Sequence, residues 1–308
     1  MSTLVLKLGA AGDVVRTTTL LHVLGEEVSW LTADANLDLL DGLDRPLDVL
    51  PWTRRDKWHG RRFHRVVNLE DSESAATFLD EVGYGELFGA YRNDAGILDY
   101  SDDSSEWFDM SLISRHGREE ADRRKLVNRK SYQEMIFAGL GARFSGEEYC
   151  LPDGPVSNLK GDVAIAPKAG SIWPVKNWAY FDELALGLRG SGLEVTFLPQ
   201  RGRLFDHLAD VRGHRCLVSG DSLPMHLALG SAVPAVTVFT CTSPWEIHDY
   251  GIQRKIVSPM LERFFYQREF DPEATTCVQV GDVLEAVLEQ LATRESRGGV
   301  GRFEGVRE

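Results

Sequence analysis

One stretch constrains the fold more than any other. Cys216, Leu217 and Val218 form an apolar run, Ser219-Gly220-Asp221-Ser222 a tight polar turn, and Leu223-Pro224-Met225-His226-Leu227-Ala228-Leu229-Gly230 the first turns of a helix. A second apolar run, Ala235 to Phe239, comes next. Strand, turn, helix and strand in so little chain predict a parallel βα unit, because the helix is the crossover that parallel strands require. Asp221 or Ser222 suits the N-cap, and Pro224 falls where a first helical turn tolerates proline. The unpaired N–H groups of such a helix start favour phosphate, and His226 adds a donor just inside it. The same residues equally make an ordinary capped helix. The loop after the second strand, Thr240-Cys241-Thr242-Ser243-Pro244, is rich in hydroxyls.

The pattern recurs along the chain. Residues 4–8, 28–32 and 66–69 read as strands, and residues 14–24 as a helix after the turn Gly9-Ala10-Ala11-Gly12-Asp13. Residues 84–120 lack a period and are expected to form loops and short helices, whereas 131–140 have helical spacing. The cluster Leu151-Pro152-Asp153-Gly154-Pro155 reads as a linker. Beyond it, 163–166 and 194–198 read as strands, and 178–189, 203–210 and 282–291 as helices. The division expected is an N-terminal Rossmann-like domain over 1–155, a C-terminal Rossmann-like domain over 156–292 and a flexible tail over 293–308. Two open parallel sheets bind ligands at the carboxyl ends of their strands, in a cleft.

Composition narrows the partners. In 308 residues, 34 Lys and Arg stand against 47 Asp and Glu, a net charge of −13. A chain this acidic is poorly suited to non-specific nucleic-acid binding. The cysteines Cys150, Cys216, Cys241 and Cys277 lie far apart with no C-x-x-C pair. That argues against a zinc ribbon, and Cys150 and Cys216, beside apolar runs, are expected to be buried free thiols. The first residues lack the basic region and long apolar core of a signal peptide, and no apolar run approaches a membrane span. A cytoplasmic, reducing location is expected.

Several residues carry candidate chemistry. Gly9-Ala10-Ala11-Gly12-Asp13 is neither G-x-G-x-x-G nor a P-loop, but Gly9 and Gly12 allow a ligand close to the backbone. Asp13 fits an N-cap, or a general base kept ionised by the helix start. Lys168-Ala169-Gly170-Ser171 and Lys176 form a strand-to-helix loop suited to an anion, with Lys176 chosen to neutralise a diphosphate. Trp173 and Trp178 in the same loop fit core positions. The basic cluster Arg54, Arg55, Lys57, His59, Arg61 and Arg62, interleaved with Trp52 and Trp58, suits either capture of an anionic acceptor or a solvated loop. Arg55 and Arg61 are its acceptor candidates. Asn68 and Glu70 suit either sugar hydroxyls or a plain turn. No Asp-x-Asp pair offers a home for a divalent metal.

Together these residues resemble the heptosyltransferases of glycosyltransferase family 9, with the two-Rossmann GT-B fold. The resemblance runs through Lys7, the small-residue turn and Gly12-Asp13, then Lys176-Asn177-Trp178, then Asp221, Ser222, His226, Leu227 and Ala228. It ends with Phe239, Thr242, Pro244 and Tyr250-Gly251. Leu223 stands where the family has glycine, and Thr240-Cys241 where it has Gly-Pro. An alignment on Trp173-Pro174 would instead put Ser171 at the lysine position. The resemblance implies an α/β protein with two parallel sheets facing a central cleft. It also implies an inverting, metal-independent transfer of a heptose or related sugar to a hydroxyl acceptor, a glycan or a small molecule. The donor would be a nucleotide-diphosphate sugar, with ADP as the expected carrier, and no other cofactor is expected. Asp13 would be the base. Gly12, Gly170, Ser171, Asp221, Ser222, Leu223, His226 and Thr242 would hold the donor. A nucleotide-sugar epimerase or hydrolase on the same fold, and a non-catalytic nucleotide-sugar-binding protein, stay open beside it. A dehydrogenase does not fit, since its glycine fingerprint is missing.

Overall fold

A computed structural model describes residues 1–170 and 172–298, the side chains of 294–298 excepted. Its strands are β1 (Thr3–Leu6), β2 (Val28–Thr32), β3 (Asp48–Pro51), β4 (Arg62–Asn68), β5 (Gly83–Arg92), β6 (Leu98–Tyr100), β7 (Gly161–Ala166), β8 (Val195–Phe197), β9 (His214–Gly220), β10 (Ala235–Phe239) and β11 (Gln253–Val257). Its helices are α1 (Ala11–Thr17), α2 (Glu73–Leu79), α3 (Ser105–Phe108), α4 (Arg118–Val127), α5 (Tyr132–Gly139), α6 (Phe181–Gly190), α7 (Leu204–Arg212), α8 (Leu223–Gly230), α9 (Pro272–Thr276) and α10 (Val280–Gly298).

The chain forms two units. The first holds residues 1–154 together with 203–205 and 245–248; the second holds the rest. Contiguous halves were expected from the sequence, so the two short stretches of the second half that count with the first unit are a difference.

The first unit has a six-stranded sheet in the order β3-β2-β1-β4-β5-β6, parallel except for the β5–β6 pair. The second has a five-stranded parallel sheet in the order β11-β10-β9-β7-β8. Strand order reverses between β1 and β4 in one sheet, and between β7 and β9 in the other. A crevice opens at the carboxyl ends of strands where neighbouring crossovers part to opposite faces. The glycine turn, the lysine loop and the Asp221 turn follow β1, β7 and β9, three of those four strands.

The cores follow from the apolar runs. Leu4, Leu6, Leu31 and Val66 pack with Phe63 and Phe78 in the first unit. Val163, Ile165, Val218 and Val236 pack under Leu184, Leu188 and Val287 in the second.

Four expectations are corrected. The helix expected over 14–24 starts at Ala11, ends at Thr17, and tightens into a 3-10 stretch over Thr18–His22. Threonine hydroxyls explain the change. Thr17 donates to Asp13 O, Thr18 to Val15 O and Thr19 to Arg16 O, so side chains compete for carbonyls that would continue the α-helix. The irregular region expected over 84–120 contains β5, whose buried stretch is only Phe88-Gly89-Ala90, too short to set a period. The helix expected from 178 begins at Phe181. The last helix runs on to Gly298, through the first residues of the expected tail, and 299–308 lie outside the described residues.

Candidate functional site

In the first unit, charge gathers at the end of β1. Lys7 Nζ is 2.8 Å from Glu70 Oε1, and their side chains are only 11 and 14 % exposed. The same Glu70 oxygen accepts from Leu8 N at 2.9 Å and Gly9 N at 3.5 Å. Glu70 therefore clamps the turn into α1. Burial opposes the Lys7 charge, but Glu70 and then Asp13 outweigh it and raise its pKa. Asn68, expected to meet sugar hydroxyls, is fully buried. Its Nδ2 donates to Ala90 O at 2.7 Å and its Oδ1 accepts from Glu70 N at 3.1 Å. Its amide orients Glu70 inside the fold instead of facing a ligand.

Asp13 is in the first turn of α1, whose N-cap is Ala10, so the N-cap expectation for Asp13 is corrected. Its carboxylate meets Arg16 Nη2 at 2.9 Å, one helical turn on. Arg16 is almost wholly buried. Its guanidinium lies 4.1 Å from the centre of the Tyr132 ring and 5.3 Å from Trp107, with Glu246 at 3.9 Å. Burial works against the Arg16 charge, yet Asp13 and Glu246 prevail and push its pKa up. Tyr132 comes from the first turn of α5, whose start is fixed by a capping box between Ser131 and Glu134. Its hydroxyl lies 2.8 Å from Thr17 Oγ1. Burial drives the Tyr132 pKa up against the pull of Arg16 and Lys7. Asp13, 34 % exposed, is the open member of this group, since Lys7, Glu70, Arg16 and Glu246 are each under 15 %. Gly12 is buried inside α1 beside it.

The basic cluster forms a 3-10 stretch over Trp52–Trp58 with a break at Arg54. Arg55 lies 4.4 Å over the Trp52 ring, and Arg61 is paired to Asp48 at 2.7 Å beside Phe63. Arg55 is half-buried and Arg61 exposed, each with a partner of its own, and Arg54, Lys57 and Arg62 are exposed as well.

In the second unit, Asp221 is the hub. Its Oδ2 accepts from Lys176 Nζ at 2.8 Å and from Thr242 Oγ1 at 2.7 Å. Burial raises its pKa, but Lys176 and His226 dominate and hold it at about 2. Lys176 and Thr242 thus meet a carboxylate of this chain. Lys176 reaches it because Gly220 admits the Lys176 loop: a Cβ at 220 would stand 2.7 Å from Lys176 O. Asn177 Oδ1 accepts from Ala169 N at 2.7 Å and closes that loop, while Gly170 is exposed at its crest. Ser171 lies outside the described residues. Ser222 is the N-cap of α8 by position, but its hydroxyl makes no cap bond and points to Gly220 O at 3.3 Å. The N–H groups at this end, that of Leu223 included, belong to a helix start with no intrahelical partner. His226 is buried one turn further along. Among the described residues no group of His, Cys, Asp and Glu is arranged to hold a metal ion.

Sequence reasoning missed Arg16, Tyr132 and Glu246. The i,i+3 spacing to Asp13 was a signal for Arg16; nothing local signals Glu246, which lies after β10.

No family model matches the chain. No curated protein matches it either. Solved structures do. An E. coli ADP-heptose LPS heptosyltransferase II superposes with a TM-score of 0.63 at 15 % identity, covering 96 % of this chain and 100 % of that one. The chain has the heptosyltransferase fold. The E. coli heptosyltransferase WaaC with ADP gives a TM-score of 0.61 at 14 % identity, covering 94 % and 100 %. A family 9 glycosyltransferase from Veillonella parvula gives 0.60 at 12 %, covering 95 % and 97 %. No helix among the described residues is long and apolar enough to cross a membrane.

Proposed function

We propose that this chain is an inverting glycosyltransferase that needs no metal ion and moves a sugar, a heptose or a relative of it, from an ADP-linked donor to a hydroxyl acceptor. One observation carries the reading. Asp13 is a carboxylate held by a buried arginine beyond the carboxyl end of a central parallel strand, and it alone of its charge group is open to solvent. A general base needs both fixed geometry and access to the proton it takes. The resemblance through Gly12-Asp13 and the likeness to a structure holding ADP support the same reading.

In the proposed reaction Asp13 takes the proton of the acceptor hydroxyl. That oxygen bonds to the anomeric carbon as the bond from that carbon to the diphosphate oxygen breaks, and the configuration inverts. The nucleoside diphosphate leaves with the bonding pair. Lys176, Thr242, His226 and the α8 N–H groups from Ser222 and Leu223 receive its charge, a task for fixed donors in a water-poor site. Arg54, Lys57 and Arg62 supply the positive field for an anionic acceptor.

The test is a calorimetric titration with ADP, GDP, UDP and their sugar conjugates, with and without EDTA. Binding of ADP that EDTA leaves unchanged is the expected result. Binding of none of them would remove the donor site, and binding abolished by EDTA would remove metal independence.

A further inference from the structure

Three loops of the second unit converge beside Asp221. One carries Trp173 and Lys176, a second carries Thr242, and a third follows β11 through Phe264, Tyr266 and Arg268. Phe264 is buried with Val175 and Cys241. Tyr266 N donates to Cys241 O at 2.8 Å, and the Tyr266 ring meets Trp173 edge-on at 5.5 Å between centroids. At Tyr266 the backbone turns through a positive φ of 53°, a conformation that a residue with a Cβ adopts only where its surroundings hold it.

The result is an indole with two cations on it. Lys176 Nζ lies 5.6 Å from the Trp173 ring centre and Arg268 Cζ 5.1 Å from the same point. They differ in what else they do. Lys176 is joined to Asp221. Arg268 is exposed, and among the described residues its recorded partner is the Trp173 ring, with no carboxylate paired to it. In a chain with 47 acidic residues against 34 basic ones, a guanidinium left without a carboxylate beside a half-buried lysine has its charge available to a ligand. Stacking on an indole fixes the plane of the guanidinium while its N–H edge stays open.

We propose that Arg268, seated on Trp173, grips the diphosphate of a nucleoside diphosphate bound beside Lys176. The inference rests on the donor reading above and adds a residue to it. The planar fork makes paired bonds to phosphate oxygens that an ammonium cannot. Arg268 adds a charge that no carboxylate shares to that of Lys176, which Asp221 partly offsets.

The experiment is calorimetric titration of the full chain with ADP, comparing wild type, R268Q and R268K, with thermal unfolding of each free protein. R268Q is expected to weaken ADP by about ten- to a hundredfold, the scale of hydrogen bonds to a charged group, with a shallower salt dependence and an unchanged unfolding midpoint. R268K is expected to recover part of the loss. Wild-type affinity in R268Q would overturn the inference and leave the donor reading standing. A loss of affinity matched by a lowered unfolding midpoint would make Arg268 a packing residue and also overturn it. Failure of the wild type to bind ADP, GDP or UDP would sink the donor reading, and this inference with it.

Discussion

Gly220 and Lys176 meet backbone to backbone, and the meeting leaves no room for a side chain. A Cβ at 220 would stand 2.7 Å from the Lys176 carbonyl oxygen. Gly220→Ala must therefore push apart the end of β9 and the lysine loop. We expect a loss of about 1–3 kcal/mol, the usual cost of overpacking, and weaker ADP binding, because Lys176 moves off Asp221. Chemical denaturation and an ADP titration check the two effects separately.

Asp221 should leave a signature in acid. Its folded pKa of about 2 lies below the ordinary carboxyl value of 3.8. The unfolded chain thus holds the proton more tightly. The stability from this group is complete above about pH 4 and is lost as pH falls toward 2. Asp221→Asn removes that dependence and strands Lys176, at a cost of about 3–5 kcal/mol at neutral pH. Urea midpoints of both proteins between pH 2 and 6 should converge toward the acid end. Parallel curves would show that Asp221 is not held by Lys176 in solution.

Asp13→Asn separates the proposed base from the binding site. It keeps the size of the side chain and removes the proton acceptor. Turnover of an ADP-sugar with its acceptor is expected to fall by about 10²–10⁴-fold, while ADP affinity stays within a factor of about two. Normal turnover in this variant would retire Asp13 as the base.

Glu70→Ala tests whether this residue anchors the turn or greets an acceptor. It leaves Lys7 buried without its partner, so a loss of about 3–5 kcal/mol is expected in denaturant. In the wild type the raised Lys7 pKa contributes stability that is whole below 10.5 and shed as pH climbs through the higher folded value. A stable variant with impaired acceptor use would reverse the assignment.

How much of this was legible depends on distance along the chain. The turn at 219–222 and the strands beside it announce themselves, because apolar run, turn formers and helix start are neighbours in sequence. The helical spacing over 131–140 does the same, although its Ser131–Glu134 capping box was seen only in the fold. Strand β5 was hidden because its burial is confined to three residues. The roles of Asn68 and Glu70 were hidden for another reason: both are polar residues at a strand end, and only the fold shows that Ala90 and Lys7 claim them. Lys176 and Asp221 were each singled out, but their pairing spans two strand ends that local pattern cannot bring together. Glu246 is the extreme case, since its partner Arg16 lies at the other end of the chain.

Residues 245–248 belong to the first unit although they follow β10 of the second. Glu246 is the second carboxylate on Arg16, and its backbone carbonyl accepts from Tyr132 N at 3.0 Å. The first unit is thus not encoded by one uninterrupted piece of gene. A fragment stopped after Gly154 would contain Asp13, Arg16 and Tyr132 but not the segment that completes their surroundings. Swapping N-terminal halves between chains of this fold would carry Asp13 across and leave behind a residue that steadies its arginine.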